Sequence, residues 1–231
     1  MATDLAPPPV DVAANLAAVR ARIAAAAAAC GRGADAVTLV AVSKTQPVAL
    51  IEQAIAAGQL VFGENRVQEA KAKFPALKSR HPALELRLIG RLQSNKAAEA
   101  VDLFDVIESI DSEKLARAVA AAMARRRRRT RCLVQVNTGT EAQKAGIAPD
   151  QAGALVALCR DELHLPLEGL MCIPPVDADP APHFRQLAAL ARTLGLDVLS
   201  MGMSADYPAA IQAGATHVRV GTAIFGARPK P

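Results

Sequence analysis

The chain has no tryptophan, one tyrosine and five phenylalanines, so aromatics make up 3% of its 231 residues. Aromatic stacking on nucleic-acid bases is thereby nearly excluded, and the core must be built from Ala, Val, Leu and Ile. Cys30, Cys132, Cys159 and Cys172 contain no Cys-x-x-Cys pair, and His81, His164, His183 and His217 show no ligand spacing. This argues against a disulfide framework and against a zinc site, and it fits a reducing cytoplasm. The start, Met1 to Val10, is polar and proline-rich and lacks both regions of a signal peptide. Residues 1–9 are expected to be disordered. The six alanines Ala24 to Ala29 are too short to span a bilayer and read as helix. A cytoplasmic protein with no membrane partner is expected.

Net charge is +5, with an isoelectric point near 9.3. The run Arg125 to Arg129 alone supplies five positive charges and closes an Ala-rich helical segment. Cations at that end offset the helix dipole. A solvated helix end is therefore favoured over a nucleic-acid patch.

Eight apolar runs suggest strands: Val37 to Lys44, Leu60 to Gly63, Leu86 to Leu92, Leu103 to Ile110, Cys132 to Asn137, Leu167 to Ile173, Asp197 to Met203 and His217 to Phe225. Helical stretches lie between most of them: Val48 to Ala57, Glu64 to Ser79, Asn95 to Val101, Ser112 to Arg129, Pro149 to Leu163, His183 to Leu194 and Asp206 to Ala213. Alternation of this kind implies a parallel sheet, and eight strands close a (β/α)₈ TIM barrel. A doubly wound open sheet is the alternative. One domain spanning 1–231 is expected, with an extra N-terminal helix at about Val10 to Cys30 covering part of the barrel.

In a barrel all strand ends share one mouth, where chemistry is kept. Strand one ends in Lys44, an amine that in apolar surroundings can lose its proton and condense with an aldehyde. From these residues alone a solvated lysine just past the strand is the favoured reading. Gly63-Glu64-Asn65-Arg66, Gln93-Ser94-Asn95-Lys96, Asp111, Met203-Ser204 and Gly221-Thr222 come to the same mouth. The loops after strands seven and eight are where barrels commonly bind phosphate. Ser204 is expected to open a helix there, and Gly221-Thr222 offers an unobstructed backbone and a hydroxyl. A phosphorylated aldehyde is suggested. Arg219 interrupts Val218 to Val220 and is either ion-paired with a barrel carboxylate or a donor to a ring nitrogen.

The motifs Ala41-Val-Ser-Lys-Thr45, Phe62-Gly-Glu-Asn-Arg-Val-Gln-Glu69, Ile89-Gly90 with Leu92-Gln93 and Asn95-Lys96, Gly169-Leu-Met171, Leu199-Ser-Met-Gly-Met-Ser204 and Arg219-Val-Gly-Thr222 together resemble the pyridoxal phosphate homeostasis (YggS-like) family. The resemblance runs from about Val37 to Gly226 and implies a fold-type III barrel, like the N-terminal domain of alanine racemase, that binds pyridoxal 5′-phosphate (PLP). By the same resemblance Lys44 is the Schiff-base lysine and Arg219 the partner of the pyridine nitrogen. Ser204, Gly221 and Thr222 form the phosphate site, Asn65 lines the ring, and Met203 joins them as a cofactor-binding residue. Two departures stand out: Arg87-Leu88 replaces a His-Phe common in relatives, and Gln46 replaces a second lysine found in some. The implied role is a monomeric cofactor carrier without established turnover, delivering PLP to dependent apoenzymes. A weak amino-acid racemase or lyase is the alternative, and a Schiff-base aldolase acting on phosphosugars the third reading. Lys144, in the loop after strand five, is the expected secondary amine.

Overall fold

The computed structural model describes residues 10–139 and 145–227. The expectations for residues 1–9 and for Lys144 fall outside them. Eight strands are all parallel and close in sequence order into a barrel: β1 Thr38–Val42, β2 Val61–Glu64, β3 Glu85–Leu88, β4 Val106–Ile110, β5 Arg131–Val136, β6 Leu167–Cys172, β7 Val198–Ser200 and β8 His217–Val220. Closure is made by β8 against β1, with Arg219 beside Val40 and Val220 beside Ala41. The outer helices are α2 Val48–Ala56, α3 Val67–Arg80, α4 Ala97–Leu103, α5 Glu113–Arg126, α6 Ala152–Ala157, α7 Pro180–Leu194 and α8 Tyr207–Gln212. The barrel reading holds, and the open sheet is ruled out.

Strand alternation sends Leu39, Ala41, Phe62, Leu86, Leu88, Val134, Leu170, Val218 and Val220 outward into one core beneath the helices. A helix α1, Val12–Ala28, precedes the barrel, with the Asp11 side chain accepting from the Ala14 N–H at 2.9 Å. Val12, Leu16, Val19 and Ile23 form its buried stripe. It packs against α2, α8 and the four-residue α9, Thr222–Phe225. The N-terminal helix thus takes an outer position between α8 and α2, where β8 meets β1.

Several boundaries differ from the sequence expectation. The run His217 to Phe225 is strand only to Val220, because the backbone turns at Gly221 and Thr222–Phe225 forms a helical turn. Leu103 belongs to α4, and Glu64 to β2 rather than to the helix that follows. Ser204 does not open a helix: α8 begins at Tyr207, with Pro208 in its first turn and Asp206 at the cap.

The arginine run is only partly helical. α5 ends at Arg126, Arg127 adopts a left-handed conformation (φ 50°), and Arg126 and Arg128 pair with Asp102 and Asp105 at 3.2 and 3.4 Å. These contacts tie the end of α5 to the α4–β4 connection, at the N-terminal end of the barrel and away from the mouth. Replacing Arg125, Arg127 and Arg129 with Gln should therefore leave binding of the expected aldehyde cofactor at the mouth, read by visible absorbance, unchanged. A large loss would contradict the separation of this end from the mouth.

Candidate functional site

A cavity of about 280 Å³ opens at the C-terminal mouth, just under the usual size of small-molecule sites. All seven residues singled out in the sequence line it: Lys44, Asn65, Met203, Ser204, Arg219, Gly221 and Thr222. Val42, Ile89 and Ile173 supply apolar walls, and Gln46 adds a polar amide. Lys44 is half-buried and lines this half-open cavity.

On the side of β7 and β8, the Gly221 N–H donates to Ser204 Oγ at 3.3 Å. A Cβ at Gly221 would lie 3.2 Å from the Val42 carbonyl oxygen and 3.3 Å from Val42 Cβ. Glycine is thus needed for the close passage of two strands as much as for open backbone. Among the described residues the hydroxyl and the amide hold one another, through a long bond that an incoming anion could replace. An amine, a guanidinium and a corner with hydroxyls and a backbone amide in one cavity fit a phosphorylated aldehyde.

Arg219 is 3% exposed and donates to Ser200 Oγ and to the Cys172 carbonyl, both at 2.8 Å. Neither sequence alternative describes it fully. Among the described residues no carboxylate touches it directly, but Ser200 Oγ donates onward to Glu108 Oε2 at 2.5 Å. Glu108 Oε1 in turn accepts from Arg87 Nε at 2.5 Å, Arg87 pairs with Glu85, and Glu85 with Arg131. A polar ladder therefore runs down the barrel interior from the cavity to the opposite end. Burial alone would raise the Glu108 carboxyl, but Arg87 and Arg219, with the Ser200 hydroxyl, hold it below the ordinary carboxylate range. Burial also drives His217, on β8 with Arg219, down to about 4. Arg87, a departure from the family pattern, proves to be a fully buried member of this ladder and does not line the cavity.

Sequence reasoning missed a second polar group, which grips both neighbours of Lys44. The Lys73 Nζ donates to the Ser43 carbonyl at 3.0 Å and pairs with Glu64 at 2.7 Å and Glu69 at 2.9 Å. The Ser43 hydroxyl donates to Glu64 at 2.7 Å, and the Thr45 N–H to Glu69 at 2.5 Å. Thr45 is held at φ 62°, a costly conformation for a β-branched residue. The clamp around it fixes where Lys44 projects. Burial raises the Glu64 carboxyl, whereas Glu69, tied to Lys73 and Thr45, is lowered. The only signal in the sequence was the i,i+4 spacing of Glu69 and Lys73.

Residues 14–229 match the family model for the alanine racemase N-terminal domain. A pyridoxal phosphate homeostasis protein of Vibrio cholerae is 45% identical over 224 residues, covering 93% of this chain and 95% of that protein. One from Escherichia coli K12 is 41% identical over 227 residues, covering 94% and 97%. Among solved structures, PipY of Synechococcus elongatus PCC7942 with PLP bound superposes with a TM-score of 0.81 at 37% identity, covering 94% of this chain and all of that one.

Proposed function

The chain belongs to the alanine racemase N-terminal domain family, among its pyridoxal phosphate homeostasis proteins, and from that premise we propose that it binds PLP at the barrel mouth and acts in PLP homeostasis as carrier and buffer. The observation that carries this reading is the convergence of all seven expected residues on one cavity with Lys44. Lys44 would hold the aldehyde, and Ser204 with the amides of Gly221 and Thr222 would hold the phosphate. Asn65 and Met203 would flank the ring, and Arg219 would face its nitrogen.

When bound, PLP supplies an aldehyde open to amines and a ring able to draw electrons. The protein's own groups restrain that second property. The guanidinium of Arg219 does not give up its proton, and its contacts to Ser200 and the Cys172 carbonyl keep it in place. Turnover would further need a paired acid and base. The one tyrosine, Tyr207, is buried beneath the Arg22 guanidinium, 5.4 Å from its ring centroid, and does not line the cavity. These features favour retention and delivery over racemase or lyase chemistry.

We read the whole chain as one binding domain that works as a monomer in the cytoplasm and hands PLP to dependent apoenzymes. Among the described residues no helix is long and apolar enough to cross a membrane. Borohydride treatment of PLP-loaded protein, followed by peptide mapping, should place the phosphopyridoxyl label on Lys44. A label on Lys71, Lys96 or Lys144 instead would remove the central assignment, and racemisation or elimination with common amino acids would remove the carrier reading.

A further inference from the structure

Three locally unfavourable features meet beside Lys44. Thr45 holds φ 62°, in the left-handed region that a β-branched side chain avoids. Lys73 brings a cation to a place where its side chain is 9% exposed, against the fully buried carboxylate of Glu64. The Glu64 Oε2 oxygen is buried with no hydrogen-bond partner among the described residues. Desolvation offsets much of the attraction within such a pair, and well-packed apolar side chains would hold α3 on the barrel as firmly. Phe74, the next residue of α3, already packs there against Phe62, with ring centroids 5.9 Å apart. Local departures of this kind cluster where a function requires them.

The contacts of Lys73 converge on one place. Its Nζ donates to the carbonyl of Ser43, the residue before Lys44. It also pairs with Glu69, which accepts from the N–H of Thr45, the residue after Lys44. Through Glu64 it reaches the Ser43 hydroxyl and the residue preceding Asn65, a wall of the cavity. One helical side chain thus fixes the backbone on both sides of Lys44, and the N–H that Glu69 holds belongs to the strained residue itself. Lys73, Glu64 and Glu69 do not line the Lys44 cavity, so none of them meets a ligand bound there.

Resting on the reading that Lys44 captures PLP, we propose that Lys73 is a positioning residue for that capture. Through Ser43, and through Glu69 and Thr45, it holds Lys44 where its nitrogen meets the aldehyde. The step served is a condensation: the neutral amine forms a C=N bond to the aldehyde carbon, and the aldehyde oxygen leaves as water, with no oxidant or reductant needed. Fixing the amine in advance raises its effective concentration, and a shift of about 1 Å forfeits much of that gain. Without Lys73 the phosphate corner still holds its ligand, but covalent retention fails, and the carrier keeps PLP only loosely.

The test compares PLP with pyridoxine 5′-phosphate, which has the same ring and phosphate but an alcohol in place of the aldehyde. Calorimetric titration of parent, Lys73→Met and Glu69→Ala apoproteins with each ligand separates the aldehyde contribution from the rest of the site. Both variants should weaken PLP at least about tenfold and change pyridoxine 5′-phosphate by less than about twofold. The share of Lys44 labelled by borohydride at a fixed PLP concentration should fall in parallel. Glu69 is partly exposed, so Glu69→Ala decides the question where thermal melts show that Lys73→Met does not fold. Unchanged PLP affinity in folded Lys73→Met, or in Glu69→Ala where the first variant does not fold, overturns the proposal. Equal weakening of both ligands overturns it as well, because a merely structural role predicts that result. Parent protein that binds PLP no more tightly than pyridoxine 5′-phosphate removes the Lys44 reading itself, and this inference with it.

Discussion

Glu108→Ala should destabilise the protein by about 3–5 kcal/mol, the usual cost of removing one partner from a buried ion pair. The carboxylate is fully buried between Arg87 and the Ser200–Arg219 arm of the ladder, so its loss removes the charge that offsets Arg219 through Ser200 and leaves the buried Arg87 with Glu85 alone. Glu108→Gln retains an acceptor while removing the charge and should fall between the two. Urea unfolding at pH 7 measures both. A loss below about 1 kcal/mol for the alanine variant would mean that the ladder is solvated and the pair is not desolvated in the sense used here. The pH dependence has a fixed sign. The native carboxyl titrates below the ordinary value of 4.5, so its stabilisation is complete above that pH and is lost as pH falls through the lower native value. The difference between parent and variant should therefore be flat from pH 6 to 8 and shrink only under acid. The same variant should loosen PLP, because Ser200 would no longer be fixed as the acceptor for Arg219.

The barrel was legible because strands buried on both faces read as near-continuous apolar runs, and helical periods separate them. Val106 to Ile110 shows the limit of that signal. Glu108 looks like an interruption in an apolar run, and nothing local says that it meets Ser200, 92 residues away, across the barrel interior. The Ala223-Ile224-Phe225 tail of the last run carries the composition of a strand, yet the backbone turns at Gly221 and ends it early. Site residues were legible where they sit at strand ends, as Lys44 and Arg219 do. Lys73 was not, because it reaches the Lys44 loop from a helix and its charge reads there as a solvated face.

Phosphate anchoring should make PLP bind at least about a hundredfold more tightly than pyridoxal. Lys44 alone would treat the two aldehydes alike, since the reacting group is the same. The distinction must come from the corner formed by Ser204, Gly221 and Thr222. Charge-assisted hydrogen bonds contribute roughly 1.5–3 kcal/mol each, and two of them already correspond to about a hundredfold or more. Among the described residues, the bond that a phosphate would displace there is the long one from the Gly221 N–H to Ser204 Oγ, at 3.3 Å. Ser204→Ala should then weaken PLP by about tenfold or more and leave pyridoxal unchanged. Gly221→Val should weaken both, since any side chain there meets Val42 before it meets a ligand. Titration of apoprotein with each aldehyde, followed at the visible band, measures these ratios. Equal affinity for the two aldehydes in the parent protein would show that no phosphate cradle exists between β7 and β8, and the assignment of this mouth as the cofactor site would fall with it.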